Sequence, residues 1–196
     1  SMYAWREQHR PAVLEVHVFS LKGGRSMFIR TPDDYRILVD GGPNSEVVRR
    51  LTDILPFYSQ RIDAVMATNT EGKNVSGLID VIGRYKVDLA YISKFTLENM
   101  KVASPTDGVY FSFVEALKTN NISTREIQVA DSIELGRDVS LRTVFPVLPE
   151  DFSYSKASAP EILFTVEYKN TKFTFMGDAS KKVQNFVASS SVSIIN

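Results

Sequence analysis

The chain has 196 residues, 43% of them hydrophobic and 23% charged, with 23 basic and 23 acidic side chains that cancel. That is enough chain for one domain with a real core, and the balanced charge excludes a surface given over wholly to gripping nucleic acid, leaving room only for a local basic patch. There is no cysteine and there are only two histidines, His9 and His17, so disulfides, thiolate metal sites, a cysteine nucleophile and any cluster of imidazoles are excluded.

No run reaches the roughly 18 apolar residues that span a bilayer, and no signal-peptide pattern opens the chain. Residues 1–12 read as a leader or linker and 13–196 as one domain. Ser1-Met2 reads as a cloning remnant. "SVSIIN" (Ser191 to Asn196) reads as a strand that begins and stops, so the expectation is a piece of something longer.

"VLEVHVF" (Val13 to Phe19) alternates and is β-branched, which predicts a strand. "SMFIRT" (Ser26 to Thr31) and "YRILVD" (Tyr35 to Asp40) follow across short turns and complete an antiparallel meander. "GGPN" breaks it. Asn44 is placed to cap a helix over "SEVVRRLTDIL", whose Val47, Val48, Leu51, Ile54 and Leu55 make an apolar stripe. Strand "IDAVMAT" runs into the polar turn "NTEGKN", and a helix is predicted from Val75. "DLAYIS" is the next strand. "SPTDGVYFSFVEALKTNN" predicts a helix capped at Thr106 or Asp107.

"TREIQVA", "SIEL" and "VSLRTVF" are short strands, and "PVLPEDFSYSKASAP" is a loop. "EILFTVEY" and "KFTFMG" form a hairpin across "KNT", and "DASKKVQNFVAS" opens a last helix. Strands, helices, strands, helix, in that order, predict two sheets in one layered α/β sandwich.

Three strands end in polar turns: "VDGGP" (Val39 to Pro43), "AT" followed by the turn that leads to "SGL" (Ser76 to Leu78), and "FMGDAS" (Phe175 to Ser180). If those strands lie side by side, the turns meet at one edge of the sandwich, a favoured place for chemistry.

As a set these motifs resemble the metallo-β-lactamase superfamily, and within it the soluble domain of ComEC-type competence proteins, the membrane channels for DNA uptake. The resemblance runs from about Leu14 to Ala188. "VHVFSLKGGRSMFIRTPDDYRILVDGGP" is similar to the family's "V-x-F-L-D-V-G-Q-G-D-A-x-L-I-x-T-P" followed by "L-I-D-G-G". "IDAVMATNTEGKNVSGL" is similar to "D-x-V-x-x-T-H-x-H-x-D-H-x-G-G-L", and "KFTFMGDAS" to "F-L-L-T-G-D-A".

The resemblance implies a four-layer αβ/βα sandwich, its final elements missing, and a metal-binding turn. Here the turn departs from the pattern. Asn69 stands at the first His position, Glu71 at the second, Lys73 at the Asp and Asn74 at the last His, while Asp178 and Asp40 match family Asp positions. The glycine-rich turn also differs, being Ser20-Leu21-Lys22-Gly23-Gly24-Arg25.

A dinuclear hydrolytic site needs neutral imidazoles and carboxylates to hold two divalent ions and lower the pKa of bound water. Asn is a weak ligand and an ammonium repels a cation. The vestigial site is therefore Asp40, Asn69, Glu71, Lys73, Asn74 and Asp178, with no cofactor expected. One alternative is that Glu71, Asp178 and Asp40 hold a single divalent ion such as Mn, Mg or Zn through oxygen. For Lys73 two readings stand: its ammonium replaces the metal and reaches Asp178 or Asp40, or it is a solvated turn residue. Asp40-Gly41-Gly42 has its own alternative, a turn whose Asp accepts backbone N–H groups.

His17, between two valines on a strand, is read as a packed or sheet-surface residue. Ser76 and Ser180 lack a histidine base. Lys22, Arg25, Lys181 and Lys182 make a candidate rim for phosphate or DNA, with solvated charges as the plain alternative. Phe111, Phe113, Phe145, Phe152, Phe164, Phe173 and Phe175 are expected in the core rather than as base-stacking platforms.

The functional expectation is a non-catalytic domain of a DNA-uptake protein with a structural or DNA-guiding role. Its partners would be DNA and the parent's membrane channel, and its place outside the cytoplasm. The alternatives are a metal-dependent phosphodiesterase or nuclease, and a stand-alone protein-interaction module.

Overall fold

The computed structural model describes residues 12–93, 108–128, 130–145 and 162–177, with positions 181, 184 and 185. Ten strands and three helices occupy them. The first sheet runs β1 (Glu15–Leu21), β2 (Gly24–Arg30), β3 (Arg36–Val39), β4 (Arg61–Ala67), β5 (Lys86–Ser93), β6 (Ser123–Ile127), neighbours in that spatial order. Its first three strands pair antiparallel as a meander and the remainder pair parallel. The parallel strands are linked by α1 (Glu46–Ile54), α2 (Gly72–Arg84) and α3 (Gly108–Thr119). The second sheet is antiparallel, in the order β10 (Thr171–Phe175), β9 (Leu163–Tyr168), β8 (Val139–Phe145), β7 (Ser132–Glu134).

Two cores follow from this layering. On one face of the first sheet, Leu38, Val65 and Ala90 pack against Val47 and Leu51 of α1, Val75, Leu78 and Val81 of α2, and Tyr110, Phe113 and Leu117 of α3. The other face meets the second sheet: Ile29, Ile37, Val39 and Met66 lie against Leu141, Phe164 and Val166. The central parallel strand β4 is buried on both faces over most of its length, which is why "IDAVMA" reads as a mostly apolar run rather than an alternating one, whereas the edge strand β6 is exposed from Ser123 to Glu126. The fourth layer expected from the sequence falls on the last helix, most of which lies outside the described residues.

Three details of the sequence reading change. Helix α2 begins at Gly72, three residues before Val75, because its first turn is polar and carries no apolar signal. Helix α1 has Ser45 at its N-cap with no side-chain bond there. Asn44, expected to cap the helix, instead accepts the Glu46 N–H at 2.9 Å from one residue further out. Phe111 and Phe173, expected in the core, are 55% and 42% exposed, while Phe113 and Phe164 are buried. Thr106, Asp107, Phe152, the 146–160 loop and "SVSIIN" lie outside the described residues, as does the side chain of Phe145.

Candidate functional site

Strands β3 and β4 are parallel neighbours, so their C-terminal ends emerge at one edge. Asp40 follows β3 directly. It adopts a left-handed backbone (φ 56°), which Asp tolerates better than most residues, and it is 4% exposed. Its backbone N–H donates to the Met66 carbonyl at 2.8 Å, continuing the ladder by one residue. Its carboxylate reaches across to the end of β4. One oxygen accepts the Thr68 N–H at 2.9 Å and the other accepts the Thr68 hydroxyl at 2.7 Å. Ser26, on β2, donates its hydroxyl to the Asp40 carbonyl at 2.6 Å. Asp40 thus joins three strands at the edge where the turns meet.

The turn after β4 is organised by asparagines. Asn69 Oδ1 accepts the Glu71 N–H at 3.0 Å, an Asx turn that aims the chain into α2. The same oxygen accepts from Asn74 Nδ2 at 3.0 Å. Both side chains are buried, at 5% and 1% exposure, and the Asn74 Oδ1 is a buried acceptor with no hydrogen-bond partner among the described residues. Lys73 Nζ stands 2.9 Å from Glu71 Oε2, both side chains partly exposed. Sequence reasoning misses this ion pair, having looked to Asp40 and Asp178 for Lys73. Asp178 lies outside the described residues.

The start of α2 is held hard against the Asp40-Gly41-Gly42 turn. The Gly41 N–H donates to the Asn74 carbonyl at 2.6 Å, and the Gly77 N–H to the Gly42 carbonyl at 2.9 Å. A Cβ on Gly77 would sit 1.9 Å from the Gly41 carbonyl oxygen, and one on Gly41 would sit 2.2 Å from the Leu78 nitrogen. Only glycine at both positions allows the two backbones this close.

Beside this edge is a cleft of about 200 Å³ between the two sheets, lined by Val18, Arg25, Ser26, Met27, Val39, Asp40, Thr68, Ile162, Phe164, Phe175 and Gly177. The ends of β3, β4 and β10 therefore do converge, as their turns in the sequence suggest. Arg25 belongs to the cleft. Lys22 is exposed, and its backbone N–H donates to Glu46 at 3.3 Å. That N–H, and then the Arg50 and Arg49 guanidiniums, hold the Glu46 carboxyl below its ordinary pKa. Lys181 is exposed, and Lys182 lies outside the described residues.

His17 sits on β1 with its ring 6.2 Å from Phe28 and Nε2 3.5 Å from Glu15, on the helix-side face and not in the cleft. Ser76 donates its hydroxyl to the Gly72 carbonyl at 2.7 Å within its own helix. His9 and Ser180 lie outside the described residues. Thr68 and Ser26, which carry the Asp40 hydrogen bonds, escape sequence reasoning. The signal for Thr68 was the "AT" at the end of its strand, read only as part of a motif.

The chain was compared with known proteins. No protein-family model matches it and no curated protein matches it. Solved structures do match. A putative metallo-β-lactamase from Thermotoga maritima superposes with a TM-score of 0.60 at 12% identity, over 90% of this chain and 91% of that one. MEM-A1, a subclass B3 metallo-β-lactamase from a soil metagenome library, matches with a TM-score of 0.54 at 11% identity, over 83% of this chain. The fold is that of the metallo-β-lactamases. Zn(2+)-bound PqqB from Methylobacterium extorquens also shares it, at a TM-score of 0.50 and 15% identity over 88% of this chain. The chain spans 53% of PqqB and 59% of MEM-A1. At these identities the likeness concerns the metallo-β-lactamase fold alone. Among the described residues no group of three His, Cys, Asp or Glu side chains comes together as a metal-holding set, and no helix is long and apolar enough to cross a membrane.

Proposed function

We propose that the chain is a non-catalytic domain on the metallo-β-lactamase fold, of the kind carried by ComEC-type DNA-uptake proteins, with a structural or DNA-guiding role beside a membrane channel. One observation carries the reading. At the turn that would hold metal, the Asn69 and Asn74 amides are buried and bonded to each other at 3.0 Å. The donor set does not fit a divalent ion. Amides are weak ligands, and Lys73 brings a positive charge to the same turn. Asp40, the buried carboxylate nearest the edge, has both oxygens accepting from Thr68. No histidine among the described residues reaches the edge to act as a base. Arg25 lies in the cleft and Lys22 and Lys181 are exposed, and in this reading they would supply the basic rim that meets a phosphate backbone.

The test is elemental analysis of the purified protein after incubation with Mn, Zn and Mg and then desalting, followed by duplex and single-stranded DNA binding at several salt concentrations. The expected result is less than a tenth of an equivalent of retained metal, and DNA affinity that falls steeply with salt. Near-stoichiometric metal would overturn the non-catalytic reading and favour a hydrolase using Glu71, Asp40 and Asp178. Absence of both metal and DNA binding would favour a protein-interaction module.

A further inference from the structure

Among the described residues the two sheets end in the edge strands β1, β6, β7 and β10. Three of these edges are blunted. β7 is three residues long, β6 is exposed and polar from Ser123 to Glu126, and β10 carries Lys172 in an exposed run from Thr171 to Thr174. Shortness and charge are the devices that keep an edge from pairing with another chain. β1 has neither a basic residue nor a Pro or Gly in its seven residues, and its register with β2 holds from Glu15 to Leu21 without a bulge.

The free side of β1 is ready to pair. Leu21 and Gly24 flank the two-residue turn Lys22-Gly23, so they exchange both of their backbone hydrogen bonds. Counting back by twos, Phe19, His17 and Glu15 also bond to β2. Val16, Val18 and Ser20 therefore turn their N–H and C=O groups to the open edge. Two apolar side chains stand bare along it, Val13 at 46% exposure and Val18 at 63%.

The order of side chains fits a second copy of the same strand. A twofold axis through Val16, with the strands antiparallel, sets Glu15 against the partner's His17, Leu14 against the partner's Val18, and Val13 against the partner's Phe19. Faces match as well. Leu14 and Val16 pack against the core between the sheets and Val18 lines the cleft there, while His17 and Phe19 lie on the helix side. Each acid meets an imidazole, each bare valine meets an apolar neighbour, and the outward backbone groups of Val16 and Val18 meet groups that also point outward. An axis through His17 would oppose two imidazoles, and one through Val18 would oppose Glu15 to Leu21.

We infer that β1 is a docking edge for a second copy of this chain, joined by antiparallel pairing of the two β1 strands about Val16. The first sheets of the two copies then continue as one. The contact is isologous and closes at two copies, since it uses both β1 edges and leaves only blunted ones.

Sedimentation equilibrium of the full chain over a concentration series tests this, and a monomer–dimer equilibrium with no larger species is expected. V16P removes an N–H that points away from β2, so it is expected to abolish the dimer with the circular dichroism spectrum unchanged. H17E sets carboxylates against carboxylates across the axis and is expected to weaken dimerisation about tenfold, and E15K/H17E to recover it by restoring opposite charges. The chain has no cysteine, so register can be read directly. E15C protein mixed with H17C protein is expected to form a disulfide-linked dimer on oxidation, across a pair whose Cα atoms lie about 4.5 Å apart, and neither protein alone to do so. Four results would overturn the inference: a parent that stays monomeric up to about 1 mM, a folded V16P that dimerises like the parent, an H17E loss that E15K fails to reverse, or cross-linking of either single variant as efficient as that of the mixture. None of these bears on metal content or DNA binding, so failure here and failure of the proposed function are separately visible.

Discussion

Asp40 shows how much a single carboxylate does at this edge. It is buried, left-handed in backbone, and bonded to the next strand through both oxygens. Asp40→Ala leaves the Thr68 N–H buried without a partner and removes two charge-assisted bonds, a loss of about 3 kcal/mol. Asp40→Asn keeps an acceptor for the N–H and tolerates the backbone, so it is expected to cost less than half as much. Urea unfolding of the two variants checks this, and an Asp40→Ala protein as stable as its parent would remove Asp40 from its structural role. The neighbouring amides predict a smaller effect. Asn69→Ala deprives the Glu71 N–H and the Asn74 amide of their shared acceptor, for about 2 kcal/mol.

At the scale of elements, the contact between α2 and the Asp40-Gly41-Gly42 turn is governed by absence of side chains. Gly77→Ala drives a Cβ into the Gly41 carbonyl, where rigid backbone must yield. The expected cost is about 3 kcal/mol or more, against a gain of well under 1 kcal/mol from better helix propensity. Gly83, on the same helix with nothing near its Cβ position, is the control: Gly83→Ala should stabilise slightly, read by thermal melting of both variants.

The β2–β3 hairpin supplies a pH prediction. Arg30 is 4% exposed and pairs with Asp34, which also meets Arg36 Nη2 at 2.8 Å. Burial pushes the Asp34 carboxyl up, but the hydrogen bonds and charges of Arg36 and Arg30 outweigh it and hold the pKa below the ordinary value. A depressed folded-state pKa means the stabilisation is complete above the unfolded value near 4 and is lost as pH falls through the folded one. Asp33, held low by the Thr31 hydroxyl and then the Arg137 N–H, adds in the same direction. Acid titration should therefore cut stability below about pH 4. Asp34→Asn should flatten that dependence while lowering stability at neutral pH, because the ion pairs of Asp34 with Arg30 and Arg36 are lost. An unchanged acid limb would refute the assignment, and since Asp34 is partly exposed the effect is discounted for solvent screening.

For the whole molecule, the two cores are made by side chains alone, on either face of the first sheet. The reading of a non-catalytic domain then predicts a melting temperature that moves by less than 1 °C between excess chelator and excess Zn, whereas a tight metal site raises it by mass action. Scanning calorimetry in the two buffers decides this.

At that scale the fold is legible in the sequence. Strand runs such as Val13 to Phe19 and the apolar stripe of α1 carry their own periodicity, and order alone separates the two sheets. The site is only half legible. The positions of Asp40, Asn69 and Asn74 can be read from motif likeness, but which atoms meet cannot. The Lys73–Glu71 pair depends on how the Asx turn at Asn69 launches α2, and the Asp40–Thr68 bonds join residues 28 apart in the chain. Boundaries fail where the chain is polar, as at Gly72, since no apolar period marks them.

The backbone contact between Gly41 and Gly77 has a consequence for kinship. The fold requires that pair whether or not an ion is ever bound, because strand end and helix start cannot approach otherwise. Metal ligands can be exchanged one by one once catalysis no longer selects them. The glycines cannot. Any sequence that brings this strand end and helix start together in the same way should therefore carry two glycines some three dozen positions apart, whatever its turn holds.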